Sequence, residues 1–330
     1  MEGASRCEEH PTPRRVADVY EQIGRNKRRA VFYTGVFFAM WVGIGALLGW
    51  LATALATAPG APASRAPIVV GAVIAGVLAL GAVAFAWNGG AGLVLRVARA
   101  HPADPVAYQE LHNIVEALAI GSGLPKPQVY VVDDPSPNAF ATGTSPDRAA
   151  VTVTTGLLEL MNRAELEGVV AHELSHIKNY DVRLILVVST LIGLAGLMAS
   201  LIWRGVFHLR LRGKGGVQVL VIVLVAGVLL TIIAFVVGPL IKLALSRRRE
   251  SLADASGVEL TRNPVGLIAA LRKLEANDQA LTNYNHATAA MCIEDPVQYH
   301  SGFFAGLFNT HPPLSERIAA LERIAQVREL

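Results

Sequence analysis

The sequence predicts a mostly α membrane protein, with four transmembrane helices and an α+β domain assembled from the segments between and after them. Composition is the first observation behind this. Of 330 residues, 52% are hydrophobic and 17% charged, with a mean hydropathy of +0.43. A soluble domain carries about 25% charged residues. The second is four apolar runs, 31–58, 66–87, 184–203 and 217–241, without a single Asp, Glu, Lys or Arg. Each reaches the ~20 residues needed to cross a bilayer core. The third is that the polar segments around them alternate between helix-like and strand-like patterns. A buried core helix pair is the competing reading for the last two runs, and their unbroken length argues against it.

Residues 1–30 form a basic segment with seven Lys or Arg, four of them between Arg25 and Arg29. The hairpin 31–87 follows. Its first run has 28 residues, too long for the ~7–15-residue core of a cleaved signal peptide, so it reads as a retained anchor. The loop 59–65 holds only Arg65 as a basic residue. This asymmetry puts the N-terminal segment, and everything from Asn88 on, in the cytoplasm. The linker between the third and fourth runs opposes a simple four-span reading. It holds Arg204, Arg210, Arg212 and Lys214 and no acid, so 184–241 is either a transmembrane or a re-entrant hairpin.

Residues 88–183 read as the first half of the folded domain. Asp104 and Pro105 open a helix over 106–120 that stops at Gly121 and Gly123. A strand is expected over 127–132, and 138–144 with 149–154 flank a Thr-Ser-Pro-Asp turn as a hairpin. Asn162 and Glu165 make a capping-box start for the next helix, which carries His172 and His176. That helix is expected to run into the third apolar run almost unbroken, placing His176 roughly 12 Å from the start of the run. Residues 242–330 form the second half. They comprise a helical continuation over 246–257, a helix over 264–276 capped by Asn263, an aperiodic loop over 277–309, and an amphipathic helix over 314–330. The last carries Leu314, Ile318, Leu321 and Ile324 on one stripe.

The chemistry concentrates in His172-Glu-Leu-Ser-His176. On a helix, residues four apart share a face, so two imidazoles can grip one zinc ion. Glu173 stands beside them, suited to hold the water that such a metal polarises. Two surface histidines on an amphipathic helix are the bland alternative. Asn179 and Val182 exclude the longer signature with a third histidine. Between Val182 and Arg249 there is no Asp or Glu. Glu250 is therefore the favoured third ligand, with Asp181 its competitor and a surface ion pair with Arg247 or Arg249 its ordinary alternative.

Four boxes occur in order: Asn138-Ala-Phe-Ala-Thr-Gly143, His172-Glu-Leu-Ser-His176, Glu250-Ser-Leu-Ala-Asp254 and His311-Pro-Pro-Leu-Ser-Glu-Arg317. Together they resemble the HtpX-type integral membrane zinc metalloproteases, relatives of the CAAX prenyl proteases, over most of the chain from about Ala30 on. The resemblance implies a zincin-like α+β metalloprotease domain with one zinc ion held by His172, His176 and Glu250. It also implies Glu173 as general base and His311 as a group facing the scissile carbonyl. Asn138 would start a substrate-binding strand, and Asp254 would pair with Arg317 in support of the ligands. The expected function is hydrolysis of peptide bonds in misfolded or damaged membrane proteins, as quality control under stress. The setting would be a bacterial or archaeal inner membrane, with the protease domain facing the cytoplasm.

The implied partners are membrane-protein or other polypeptide substrates and the lipid bilayer; homo-oligomer formation is left open. Cys7 and Cys292 are the only cysteines, so no disulfide framework or thiolate metal site is expected. A net charge of +3, gathered at membrane flanks, does not suggest nucleic acid. A prenyl-protein processing protease is the alternative within the same chemistry. A transporter is disfavoured because the runs carry no ionisable group, and a non-catalytic scaffold because Glu173 is intact.

Overall fold

A chain with so few breakers in its apolar runs folds into long helices, and the first is the longest. The computed structural model describes residues 13–56, 64–208, 216–234, 238–277 and 313–329. Helix α1, Pro13–Ala56, has 44 residues, about 66 Å of helix against a ~30 Å bilayer core. No proline interrupts it after Pro13, so it runs without a break through the basic stretch expected as a separate segment. Helix α2, Ala66–Asn88, folds back along α1. Gly45 and Gly49 of α1 face Gly71 and Pro67 of α2, and a Cβ on either α1 glycine would collide with the carbonyl oxygen opposite. Small residues spaced this way let membrane helices approach at backbone distance.

Short helix α3, Gly90–Val97, leads into a small mixed sheet. Its strands are β1 (His101–Pro102), β2 (Gln128–Val132), β3 (Ala139–Gly143) and β4 (Ala149–Thr154), in the order β1-β2-β4-β3. Strands β2 and β4 are parallel, while β3 and β4 form the expected hairpin, with Ala141 opposite Val151. Helix α4, Gln109–Ser122, starts later than expected. The Asp104 carboxylate instead accepts from the Val106 and Ala107 amides, at 2.9 and 2.8 Å, closing a separate turn first. Gly123, at φ 69°, ends α4 in the left-handed conformation that glycine adopts without strain.

Helices α5 (Thr155–Leu160) and α6 (Arg163–Lys178) follow β4. The expected continuous passage into the third apolar run does not occur. The chain turns at Asn179 and Tyr180, with Tyr180 at φ 60°, before α7, Asp181–His208. The structure describes the fourth run as two helices, with residues 235–237 outside the described residues. It is divided between α8, Gly216–Ile232, and α9, Gly238–Thr261. Pro239 falls in the first turn of α9, where its missing amide hydrogen costs no helical bond. Helix α10, Pro264–Glu275, is capped by Asn263 Oδ1, which accepts from Gly266 N at 3.2 Å. Helix α11, Leu314–Glu329, completes the described chain.

Among the described residues, three helical stretches are long and apolar enough to cross a membrane: Ile23–Leu55, Ala66–Asn88 and Asp181–Val206; Gly216–Ile232 is shorter. Three of the four expected spans thus meet that standard among the described residues. Phe32, Val69, Val77 and Leu80 point outward on α1 and α2, each more than half exposed. An apolar exterior on long helices is what a lipid surround requires. Of the four buried apolar clusters among the described residues, two are the largest. One joins Phe37, Trp41, Ala79, Val187, Leu191 and Leu230 between the apolar helices. The other packs Val131, Val151 and Val153 of the sheet with Val170, Leu174, Leu271 and Leu321 of α6, α10 and α11.

Candidate metal centre

Helix α6 is held at its start by a full capping box: Asn162 Oδ1 accepts from Glu165 N at 3.0 Å and Glu165 Oε2 from Asn162 N at 2.8 Å. His172, Glu173 and His176 are all buried within it. Helix α9 crosses α6 at Gly257, where a Cβ would stand 3.1 Å from His172 N. The missing side chain lets the two backbones meet. Asp254 and Glu250, about one and two turns earlier on α9, are thereby carried to the imidazoles.

Glu250 Oε2 lies 3.5 Å from His172 Nε2 and Glu250 Oε1 lies 3.5 Å from His176 Nε2. The two Nε2 atoms are 3.2 Å apart. Donors about 2.1 Å from a tetrahedral zinc stand about 3.4 Å from one another, so this triangle has the size of a coordination face. Among the described residues, His172, His176 and Glu250 form the group that could share one ion, their ligand atoms lying within 4.8 Å of one another. Two imidazoles and a carboxylate are also a donor set that zinc favours.

Each histidine has a carboxylate at its other nitrogen. His172 Nδ1 is 2.9 Å from Asp254 Oδ1, and His176 Nδ1 is 3.1 Å from Asp181 Oδ2. An ionised carboxylate only accepts, so each Nδ1–H donates to its carboxylate and each Nε2 faces the common point. Asp181, weighed above as a competing ligand, thus sits on the far side of the His176 ring. Arg317 of α11 clasps Asp254 with two bonds, Nε to Oδ2 at 2.9 Å and Nη2 to Oδ1 at 2.7 Å. Its Nη1 lies 3.8 Å from Glu250 Oε2.

The electrostatics follow from burial. Glu173, Glu250, Asp254 and Asp181 are four buried carboxylates against two buried guanidiniums, Arg249 and Arg317. Burial pushes the Asp254 carboxyl up, but the Arg317 charge and the bond to His172 outweigh it and hold it at about 2. Burial and Arg317 both push the His172 imidazole down, yet Asp254 and Glu250 overcome them and raise it to about 9. Four acidic side chains thus surround two guanidiniums and an imidazole that holds its proton, a setting that favours a bound cation.

The remaining expected residues fall as follows. Asn138 is buried immediately before β3; its Oδ1 accepts from Ala139 N at 2.8 Å and its backbone N–H donates to Thr154 Oγ1 at 2.8 Å. Among the described residues β3 pairs with β4 alone and ends the sheet. His311 lies outside the described residues. Sequence reasoning missed the contact of Asp254 with His172 and gave Asn26 no role; the Asn26 amide bonds Asp181. Only the i, i+4 spacing of Glu250 and Asp254 hinted at the first, and nothing local hinted at the second.

Asp254→Ala and Arg317→Ala should each destabilise the protein by about 3–5 kcal/mol, the cost of leaving one partner of a buried pair unmatched. Both should also impair activity. The double variant should be little worse than either single one, because the two share one interaction. Unfolding and cleavage measurements on all three variants check this, and fully additive losses would show that the pair is not a unit.

The geometry and the His-Glu-x-x-His helix together define the class of metallopeptidases that place two histidines and a glutamate around one ion. The chain belongs to peptidase family M48, whose family model matches residues 105–325, and it is a membrane metalloprotease. It is 40% identical over 321 residues to the protease HtpX homolog of Limosilactobacillus fermentum, covering 93% of this chain and 100% of the relative. It is 36% identical over 310 residues to the homolog of Streptococcus uberis, with the same coverage. Among solved structures it is similar to S. mikatae Ste24p, with a TM-score of 0.42 and 20% identity. That match covers 88% of this chain and 65% of the Ste24p chain, so the present chain spans just under two thirds of its length.

Proposed function

We propose that the chain is a zinc-dependent endopeptidase that hydrolyses peptide bonds in misfolded or damaged membrane proteins at the cytoplasmic face of the membrane. One zinc ion would be held by His172, His176 and Glu250. The observation that carries this is the buried donor triangle of His172, His176 and Glu250, with its ligand atoms within 4.8 Å of one another. Zinc so held supplies Lewis acidity, polarising a peptide carbonyl and acidifying water.

The chain's own residues supply the remainder. Asp254 and Asp181 keep both imidazoles in the tautomer that leaves Nε2 free to bind. Glu173, next to His172 on the same helix, takes a proton from the attacking water on its carboxylate and passes it to the departing amine. His311 donates toward the developing oxyanion, as the family resemblance suggests. Strand β3, opened by Asn138, offers its outer edge to an extended substrate by main-chain pairing. A water-excluding helix buried on several sides keeps these charges in a low dielectric, where they act most strongly.

Membrane substrates follow from where the site lies. Asp181, the partner of His176, is the first residue of a candidate span. The chain leaves the site through α7 and returns to it through α9, so α7 and α8 act as a hairpin. A fourth crossing by α8 with the start of α9 satisfies that return. In this reading 1–30 and 31–87 lead in, and 88–183 and 242–330 combine around the hairpin 184–241, with the boundaries at 30, 183 and 241 falling inside α1, α7 and α9.

Purified protein in detergent should cleave an unfolded polypeptide or membrane protein, lose that activity on chelation, and regain it with zinc. Cleavage indifferent to chelation would overturn the reading. For orientation, reporter fusions after Trp87 and after Arg249 should both be cytoplasmic; an external signal after Trp87 would reverse the topology.

A further inference from the structure

We infer that Asn26, on the first apolar helix, is a positioning residue of the metal centre, acting on His176 through Asp181. This rests on His176 being a metal ligand, as proposed above. Asn26 is buried, and its Nδ2 donates to Asp181 Oδ1 at 2.7 Å and to Asn179 O at 2.9 Å. Both partners are acceptors only, so the amide can face them in one orientation. The other oxygen of Asp181 receives the His176 Nδ1 proton at 3.1 Å. A path of two hydrogen bonds therefore joins α1 to an imidazole that faces the ion.

The two residues that Asn26 holds stand on either side of Tyr180, which is left-handed at φ 60°. A non-glycine residue keeps that conformation only where its surroundings hold it. Lys27, the next residue on α1, lies 4.1 Å over the Tyr180 ring, and Arg183 lies 4.7 Å from the same ring. The Arg183 Nε also donates to the Thr144 carbonyl at the end of the β3–β4 hairpin. From α9, Arg249 brings its Nη1 to 4.0 Å from Asp181 Oδ1, a counter-charge for a carboxylate with no exposure. The turn between α6 and α7 is thus clamped from α1, and the clamp fixes where Asp181 meets His176. Loss of the clamp frees the Asp181 carboxylate to rotate away from Nδ1. A ligand histidine whose outer partner is lost binds its metal about 10–100-fold more weakly.

The test uses the full chain in detergent, with Zn²⁺ affinity measured by competition and Co²⁺ absorption as a report of ligand geometry. Asn26→Ala should weaken Zn²⁺ binding by about 10-fold, at the low end of that range, and shift the Co²⁺ bands. Asn26→Asp keeps the shape but cannot donate to Asp181, and should do the same; it carries the test where Asn26→Ala does not fold. On an Asp181→Ala background, Asn26→Ala should add little. Gly24→Ala, where a Cβ meets nothing within 4 Å, should leave affinity unchanged. Wild-type affinity and spectrum in both Asn26 variants would overturn the proposal, even if the melting temperature fell, because a purely structural contact moves stability alone. So would fully additive losses with Asp181→Ala. If the unaltered protein bound neither Zn²⁺ nor Co²⁺, the metal-centre reading itself would fail, a result distinct from either.

Discussion

Glu173→Gln leaves the protein folded and metal-loaded while lowering peptide hydrolysis by about 10²–10⁴-fold, the usual worth of one general base. Glu173 is buried on α6 beside His172, and it stands outside the donor triangle of His172, His176 and Glu250. The substitution keeps the side chain's size and removes its ability to take a proton. It also removes one of four buried carboxylates, so a small change in metal affinity is expected, and metal content must be measured with the rate. Cleavage of an unfolded polypeptide by the zinc-loaded variant is the readout. Turnover near that of the unaltered protein would sink the assignment of Glu173.

Glu250→Ala empties the centre of zinc under conditions where the unaltered protein is fully loaded. It removes one of three donors and leaves two imidazoles 3.2 Å apart with no carboxylate between them. It also takes a negative charge from beside Arg317, which lies 3.8 Å from Glu250. Glu250→Gln keeps the volume and should fail in the same way, since an amide is a poor ligand for zinc. Asp181→Ala should lower affinity by about 10–100-fold, the range for a residue that orients a ligand. The two variants are therefore ranked by metal analysis at limiting zinc. Retention of metal in Glu250→Ala together with its loss in Asp181→Ala would mean the third ligand is wrongly assigned.

The parts of the molecule that could be read directly are those set by short-range rules. The capping box at Asn162 and Glu165 depends on three residues of separation, and the structure contains both of its bonds. The β3–β4 hairpin depends on a turn of four residues, and the stripe Ile318 and Leu321 on helical spacing; both residues are buried in the core. Glu250 stood out because no other acid occurs between Val182 and Arg249.

The amino-acid sequence by itself determined the membrane-helix character of the chain and the two histidines and glutamate on one helix. Composition and local spacing suffice for these, because they are properties of neighbours along the chain. Tertiary structure alone decided the break at Tyr180, the seating of Asp181 on His176 and the contact of Asp254 with His172. Asn26 reaches Asp181 across 155 positions, and Arg317 reaches Asp254 across 63. No local pattern encodes such pairs. They exist because burying four carboxylates is tolerable only where each finds a proton donor or an opposite charge, and the packing of α1, α9 and α11 around α6 is what brings those partners there.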